Sequence, residues 1–187
     1  MKFETAPLAG VVICHSTVHG DVRGHFREVS RRNECAAAGM DMDIVQVNTS
    51  TSRPGVLRGM HYQMKHPQSK LVVCLSGAIF DVMVDCRPAS PTFGKWFGLE
   101  LSAENGLGVF VPEGFAHGLQ VLGDVPATIV YQCNDYYRPG DEGGFHWASP
   151  AVGIAWPAPV SIVSARDDAL PAFSPSLPFP ELGKGGS

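Results

Sequence analysis

The chain has 187 residues, of which 44% are hydrophobic and 17% charged, with a formal net charge of -4 at pH 7. This length and hydrophobic content predict one domain with a proper core and exclude a disordered polymer. Because nucleic acids and anionic membranes bind basic faces, the net negative charge argues against both partners. We expect one folded domain over residues 1–182 and a flexible tail over the Gly-rich residues 183–187.

Cysteine usage and the N-terminus predict a cytoplasmic protein. The five cysteines form no C-x-x-C pair and lie mostly in apolar runs. An odd number in that setting is typical of buried reduced thiols, not of a disulfide framework. Residues 1–5 contain no apolar core of signal-peptide length, and no later apolar run approaches a membrane span. We therefore expect no secretion signal and no membrane partner.

Strand patterns dominate the chain and predict an all-β fold. Short β-branched or alternating runs are separated by Gly, Pro, Asn and Asp, at the spacing of a sandwich or barrel. The predicted strands cover residues 10–14, 44–48, 70–75, 78–85, 96–101, 108–111, 119–122 and 127–131.

Helix is scarce in the predicted structure. One helix is expected within residues 28–39, with Ser30 or Asn33 as its N-cap and Gly39 at its end. A second short helical turn is expected to begin at Ser164. These elements would lie at the periphery of the β fold.

Two further segments carry topological information. Ser76-Gly77 between two apolar runs predicts a hairpin turn, which would put Lys70 and Asp81 on neighbouring antiparallel strands facing a common interior. The Pro-rich end, residues 156–159 and 171–180, predicts extended chain that wraps over the surface or reaches a partner.

The strongest chemical signal combines residues 55–63, Lys70 and residues 112–117. Residues 112–117, Pro-Glu-Gly-Phe-Ala-His, have the P-x-G-x-x-H form that resembles the second motif of cupins, which are small jelly rolls. A metal-binding cupin also needs an H-x-H pair, whereas here His61 is followed by Tyr62 and Gln63. Two histidines fall short of three protein ligands, so we expect no metal. The imidazoles are free to act as bases, or are ordinary structural histidines.

Lys70 is followed by three apolar residues, so its ammonium would be costly to bury without a negative partner. Asp81 or a substrate oxyanion would supply that charge. The alternative is an exposed strand end, which is common for lysine. A neutral imidazole beside fixed positive charge suits removal of a proton next to a carbonyl and stabilisation of the enolate.

Arg58 and His61 raise a geometric question. Alternation along a strand would place them on opposite faces unless Gly59 creates a bulge. Both outcomes are compatible with the sequence.

Other segments offer binding groups with weaker signals. Residues 20–28 are expected to form a loop whose arginines suit a diphosphate and whose Phe26 and Glu28 suit a base, or else a solvated turn. Tyr131 and Tyr137 are either packing residues or, in a pocket, proton donors. Asp167 is a candidate to orient the His61 imidazole.

Together these motifs resemble the dTDP-4-dehydrorhamnose 3,5-epimerase family over nearly the whole chain. The matching motifs are D-x-R-G-x-F-R-E at 21–28, V-Q-x-N at 45–48, G-V-L-R-G-x-H-Y-Q at 55–63, Q-x-K-L-V at 68–72, S-P-T-F-G at 90–94, L-S-A-E-N at 101–105, P-E-G-F-A-H at 112–117 and G-I-x-W-P at 153–157. The resemblance implies a cupin-like jelly roll with a few short peripheral helices, no cofactor and a homodimer.

The resemblance also implies roles for individual residues. His61 would be the base, Asp167 its orienting partner, Lys70 the stabiliser of a C4 enolate, and Tyr131 the acid across the sugar ring. The substrate would be a dTDP-linked 4-keto-6-deoxyhexose, inverted at C3 and C5. Residues implied to bind the sugar, the phosphates or the nucleotide are Arg23, Phe26, Glu28, Gln46, Asn48, Arg58, His117, Tyr137, Glu142 and Arg166.

Three alternatives remain compatible with the sequence. One is an enzyme that inverts only C3 or only C5 of a related nucleotide sugar. Another is a cupin that binds a sugar nucleotide without turnover, and the third is a metal cupin. The joint presence of His61, Lys70, Tyr131 and Asp167 argues against the second, and Gln63 argues against the third.

Overall fold

The computed structural model describes residues 1–40 and 43–182. The predicted tail, 183–187, lies outside these residues. In chain order the described strands are β1 (Lys2–Thr5), β2 (Val12–His15), β3 (Val18–Asp21), β4 (Gly24–Arg27), β5 (Gln46–Ser52), β6 (Leu57–Gln63), β7 (Lys70–Ser76), β8 (Ala78–Asp85), β9 (Trp96–Ser102), β10 (Leu107–Val111), β11 (Phe115–Leu122), β12 (Ala127–Cys133) and β13 (Glu142–Gly144). The described helices are α1 (Arg32–Ala37) and α2 (Ala165–Asp168), and neither is long and apolar enough to cross a membrane.

The strands form two antiparallel sheets that pack face to face. The six-stranded sheet has the order β1-β2-β10-β7-β12-β5, and the five-stranded sheet has the order β13-β6-β11-β8-β9. Strands β3 and β4 pair with each other as a separate hairpin. This arrangement confirms the predicted all-β, cupin-like jelly roll with a few short helices.

Every predicted strand overlaps an observed one, and the prediction for β8 matches residue for residue. The list of predicted strands lacked β1, β6 and β13, although Arg58 and His61 were treated as residues of one strand. It also treated residues 20–28 as a loop, whereas most of them belong to the β3–β4 hairpin. Strand β11 begins at Phe115 instead of residue 119, because Phe115 and Ala116 are buried even though Gly118 interrupts the apolar pattern. His117 therefore lies within a paired strand.

The core lies between the sheets and follows from strand alternation. Inward residues such as Val72 and Val109 in one sheet and Ile79 and Met83 in the other are fully buried. Burial of each such side chain contributes about 1.5 to 3 kcal/mol to folding. Most of this packing fills one part of the sandwich, and the polar inward residues described below surround a cavity in another.

The turn at Ser76-Gly77 corrects one prediction. It is not a hairpin within a sheet, because β7 belongs to the six-stranded sheet and β8 to the five-stranded sheet. Gly77 has φ +71°, and a Cβ there would lie 2.6 Å from the Pro126 carbonyl oxygen, so glycine allows the tight crossing. Lys70 and Asp81 therefore do not lie on paired strands but face the interior from opposite sheets.

Helix α1 is shorter than predicted and has a different cap. Residues 28–31 are not helical, and the N-cap is Arg31, whose side chain makes no capping hydrogen bond. Arg31 instead pairs with Glu28 and Glu34, and neither predicted cap, Ser30 or Asn33, occupies the N-cap position. Gly39, with φ +81°, follows the end of the helix as predicted.

The C-terminal segment covers the outer face of the five-stranded sheet. Phe173 and Phe179 pack with Phe93 in an aromatic cluster, and the Tyr62 hydroxyl donates to the Pro178 carbonyl at 2.8 Å. Of the two predicted alternatives for this Pro-rich segment, wrapping over the surface is the one observed.

Candidate active site

A bulge in β6 brings Arg58 and His61 to the same cavity. His61 is opposite His117 on β11 and Arg58 is opposite Leu119, so β6 carries one more residue than β11 between these pairs. Gly59 has φ +122°, and a Cβ there would lie 2.7 Å from the Gly118 Cα. Only glycine fits this close approach of two backbones. The conditional prediction of a bulge at Gly59 is confirmed.

His61 is held by a buried carboxylate. Its Nε2 lies 2.8 Å from Asp167 Oδ1, and Asp167 Oδ2 accepts a hydrogen bond from the Gly59 amide at 3.2 Å. Because an ionised carboxylate only accepts, Nε2 carries the proton and Nδ1 is the basic nitrogen of the neutral ring. Asp167 is in turn fixed by Ser164, whose hydroxyl oxygen caps α2 by accepting from the Asp167 amide at 3.1 Å. The predicted turn at Ser164 is thereby confirmed.

His117 has its own carboxylate, which the sequence had suggested for Lys70. His117 Nε2 lies 2.7 Å from Oδ1 of the fully buried Asp81, so the suggested contact between Asp81 and Lys70 is wrong. Asp81 Oδ2 is buried and has no hydrogen-bond partner among the described residues. A carboxylate within the apolar strand β8 was a signal of some buried partner, but its identity depended on which strand β8 joins.

Lys70 is held by a neutral amide. Its Nζ donates to Gln63 Oε1 at 2.8 Å, across the gap between β7 of one sheet and β6 of the other. Burial lowers the pKa of Lys70 to about 8. Sequence reasoning identified Gln63 only as the place of an absent metal ligand and missed this contact.

Tyr131 lies on β12 in the six-stranded sheet, opposite the sheet that carries His61. It lines the same cavity. Burial raises the pKa of its phenol, which keeps the hydroxyl proton in place at neutral pH. The cavity therefore has a potential base on one wall and a potential acid on the other.

The cavity has a volume of about 670 Å³. It brings together most of the predicted site residues: Gln46, Asn48, Arg58, His61, Lys70, His117, Tyr131, Tyr137, Glu142, Arg166 and Asp167. Sequence reasoning missed the apolar part of its lining, to which Val56, Leu119, Ile129 and Ile162 contribute. Among the described residues, no group of three or more His, Cys, Asp or Glu side chains is arranged to hold a metal ion.

A polar cluster at the cavity centres on Glu142. Arg166 donates to Glu142 Oε2 at 2.7 Å, and the Tyr137 hydroxyl donates to the same oxygen at 3.2 Å. The Tyr137 amide donates to Gln46 Oε1 at 2.8 Å, and the Gln46 amide donates to Asn48 at 3.0 Å. Tyr137 is half exposed, so its ring presents an aromatic face beside charged groups.

Three predicted binding residues do not line the cavity of this chain. Arg23 on the β3–β4 turn pairs with Asp21 at 2.5 Å, and Phe26 on β4 is 71% exposed. Glu28 pairs with Arg31 at 2.8 Å. Their roles in binding stay predictions.

A jelly roll whose cavity combines an oriented imidazole, a buried ammonium and an opposing phenol defines an enzyme suited to proton transfer at carbon. A family profile described as dTDP-4-dehydrorhamnose 3,5-epimerase matches residues 5–175. The chain belongs to the dTDP-4-dehydrorhamnose 3,5-epimerase family, whose members are isomerases.

Individual relatives agree with this assignment. The chain is 45% identical over 169 residues to dTDP-4-dehydrorhamnose 3,5-epimerase of Shigella flexneri, covering 89% of this chain and 93% of that protein. The same name is carried by a Neisseria gonorrhoeae protein that is 45% identical over 168 residues, covering 89% of this chain. This chain spans only 51% of the length of the Neisseria protein.

Two similar solved structures contain nucleotide sugars. The dTDP-6-deoxy-D-glucose-3,5-epimerase of Legionella pneumophila, in complex with dTDP-4-keto-L-rhamnose, is 38% identical with a TM-score of 0.85, covering 92% of this chain and 98% of that one. A 3'-monoepimerase of Streptomyces bikiniensis, in complex with dTDP-quinovose, is 37% identical with a TM-score of 0.81, covering 90% and 87%.

Proposed function

We propose that this protein converts dTDP-4-dehydro-6-deoxy-D-glucose to dTDP-4-dehydro-L-rhamnose by inverting C3 and C5. The observation that carries the proposal is the placement of the His61–Asp167 pair on one cavity wall and of Lys70 and Tyr131 on the other. A sugar ring held between the two walls would meet a base on one face and an acid on the opposite face. Inversion of a carbon requires that geometry.

The first step is deprotonation beside the C4 carbonyl, which acidifies the hydrogens on C3 and C5. The Nδ1 of His61 takes the proton, and Asp167 stabilises the resulting imidazolium while fixing its direction. The bulge at Gly59 supports this role, because it turns His61 toward the cavity and supplies a second hydrogen bond to Asp167.

The second step is stabilisation of the enolate oxygen at C4. Lys70 donates from its ammonium to that oxygen, where a fixed positive charge in a partly buried site is most effective. A pKa of about 8 leaves Lys70 mostly protonated at neutral pH.

Reprotonation from the opposite face is assigned to Tyr131. Its phenol is protonated at neutral pH, and its strand faces the wall that carries His61. One passage of deprotonation and reprotonation inverts one carbon and leaves His61 protonated and Tyr131 as a phenolate. Solvent water takes the proton from His61 and returns one to Tyr131, and a second passage then inverts the other carbon.

The nucleotide and diphosphate are assigned to the polar end of the cavity. Arg58 and His117 lie near the proposed proton-transfer groups and would bind the sugar and its phosphates. The remaining proposed contacts, to the nucleotide and its phosphates, are Gln46, Asn48, Tyr137, Glu142 and Arg166.

We also propose a homodimer in which the β3–β4 hairpin of one copy completes the cavity of the other. Arg23 and Phe26 are exposed in one copy. An arginine that binds phosphate and an aromatic ring that stacks on a base contribute more to affinity when the contact is shielded from water. Glu28 would join them.

We also propose a cytoplasmic location, which the five buried, unpaired cysteines support. We further propose that residues 1–182 fold as one domain.

A second candidate is inversion of C3 alone. Its support is the 37% identity to the Streptomyces 3'-monoepimerase. The name of that protein describes inversion at one carbon, so chains similar to this one are not all named for inversion at two. The two candidates share every proposed contact and differ only in whether C5 reaches the base and the acid.

One experiment separates these functions. The protein is incubated with dTDP-4-dehydro-6-deoxy-D-glucose in deuterium oxide, with and without EDTA, and C3 and C5 are followed by NMR. We expect deuterium at both carbons in both conditions. Incorporation at C3 alone would favour the monoepimerase, and incorporation at neither carbon would overturn an epimerase function for this substrate. Loss of exchange with EDTA would indicate a metal cupin.

A further inference from the structure

The carboxylates in and beside the cavity have partners other than Lys70. Asp167 is bonded to His61, Asp81 to His117, and Glu142 to Arg166. Within residues 1–40 and 43–182, Lys70 forms no ion pair, and Glu142 acts on it only by attraction at longer range. Its hydrogen-bond acceptor is the neutral side chain of Gln63.

The residue paired with Lys70 on the neighbouring strand is neutral as well. Cys133 is opposite Lys70 in the pairing of β12 with β7 and is fully buried. Burial raises the pKa of the Cys133 thiol, so it carries no charge at neutral pH. Among the described residues, no group in contact with the ammonium neutralises it, and Lys70 lines the cavity.

We propose that Gln63 is a positioning residue for the reaction: its amide oxygen aims the Lys70 ammonium at the substrate's C4 oxygen without neutralising it. The inference rests on the proposed function, because Gln63 acts only through Lys70 and the enolate.

Three alternatives at position 63 show why an amide fits. A carboxylate 2.8 Å from the ammonium would cancel its field and repel the enolate. An apolar side chain would leave the ammonium without its acceptor and free to change rotamer. Asparagine, one methylene shorter, would not span the gap from β6 to β7. Gln63 alone among these supplies both reach and neutrality.

The test uses Gln63→Glu and the near-isosteric Gln63→Met. Protein labelled with ¹³C at lysine Cε is titrated by NMR without substrate, with the Lys70 signal assigned from its loss in Lys70→Met. We expect Gln63→Glu to raise the Lys70 titration midpoint by about one pH unit or more, and Gln63→Met to lower it. The basic limb of the kcat/KM profile should move in the same two directions, because Lys70 acts while protonated.

Turnover provides the second measurement. We expect Gln63→Glu to lower kcat by roughly tenfold to a hundredfold, less than deletion of the lysine, because the ammonium is still present but compensated. Ser50→Asp is the matched control, since it adds a carboxylate to the same cavity from β5, two strands away from β7. It should move the Lys70 midpoint much less.

The outcomes separate this inference from the function on which it rests. If the wild-type protein exchanges no deuterium into the substrate, the proposed function is overturned. If it does exchange, and the two Gln63 variants leave the Lys70 midpoint in place or move it in one common direction, the role of Gln63 is overturned. An equal shift in Ser50→Asp would also overturn it.

Discussion

The cavity walls and the β3–β4 hairpin differ in how firmly their functional side chains are held. In the cavity, the side chains of His61, His117 and Lys70 are each held by a partner on a different strand or helix of the same chain. On the hairpin, Arg23 pairs only with Asp21, two residues away, among the described residues. The side chain of Phe26 is 71% exposed.

This difference distinguishes the groups proposed to transfer protons from the groups proposed to bind the nucleotide. Groups that move protons need fixed directions, which a rigid sandwich supplies before the substrate arrives. Groups that bind a nucleotide need only be within reach of it, and a ligand or a second copy can cover an exposed hairpin. Substitutions of the proton-transfer groups and of Lys70 should therefore reduce turnover, whereas those on the hairpin should weaken binding.

The largest effect is expected from His61→Asn. Removal of the base should lower turnover by roughly 10²- to 10⁴-fold while dTDP still binds. The measurements are deuterium exchange at C3 and C5 and calorimetric titration with dTDP. His66→Asn is the matched control, because His66 also pairs with an aspartate, Asp141 at 3.0 Å, but does not line the cavity. Equal losses in both variants would argue against a specific role for His61.

Lys70→Ala should rank next. Deleting one preorganised donor to an oxyanion typically costs about 10²- to 10³-fold in kcat, so we expect a loss of that size with a small change in KM. Lys95→Ala, at an exposed lysine outside the cavity, should behave as wild type. Near-normal turnover in Lys70→Ala would remove Lys70 from the mechanism.

A smaller effect of a different kind is expected on the hairpin. Arg23→Ala should raise the Kd for dTDP roughly tenfold or more, the value of one charge-assisted hydrogen bond, and leave kcat nearly unchanged. Arg32→Ala is the control, since Arg32 is equally exposed but pairs with Asp43 beside α1. A reduced kcat without a change in Kd would contradict the assignment of the hairpin to nucleotide binding and of the cavity groups to proton transfer.

Mixing two variants tests which copy the hairpin serves. If Arg23 acts in the partner's cavity, a mixed dimer of Arg23→Ala and His61→Asn subunits contains one cavity with both residues. Activity at low substrate concentration should then exceed the sum of the two separate variants. No gain on mixing, with exchange of subunits verified, would mean that Arg23 serves its own copy.

The smallest effect concerns stability. The pKa of Lys70 is lowered from 10.5 to about 8, so the buried charge opposes folding fully below pH 8. Between pH 8 and 10.5 the unfolded chain binds more protons than the folded one, and stability rises with pH. The lowered pKa corresponds to about 3 kcal/mol, and loss of the hydrogen bond to Gln63 offsets about 2 kcal/mol of this in Lys70→Met. This variant should therefore be more stable than wild type by about 1 kcal/mol at pH 7, with the difference falling toward pH 10. Urea unfolding at both pH values measures this, and a difference independent of pH would contradict it.

Much of the fold was predictable because its strands carry local signals. Alternating apolar runs bounded by turn residues identified β7, β8 and β12 closely. The hairpin at residues 20–28 was missed because its exposed strands have no buried face to produce alternation. Ser76-Gly77 was misassigned because the residues of a tight turn are the same whether the next strand joins the same sheet or crosses to the opposite sheet.

The candidate site divides in a similar way. Motif order and residue type were sufficient to indicate the all-β jelly roll, the family and the residues proposed for the chemistry, since these depend on short stretches of chain. The pairing of Asp81 with His117, the contact of Gln63 with Lys70 and the placement of His61 opposite Tyr131 depend on strand order. They join residues from different strands, and in two of the three cases from opposite sheets, so no local pattern specifies them. Strand order within the five-stranded sheet creates the first of these arrangements, and packing of the two sheets around one cavity creates the other two.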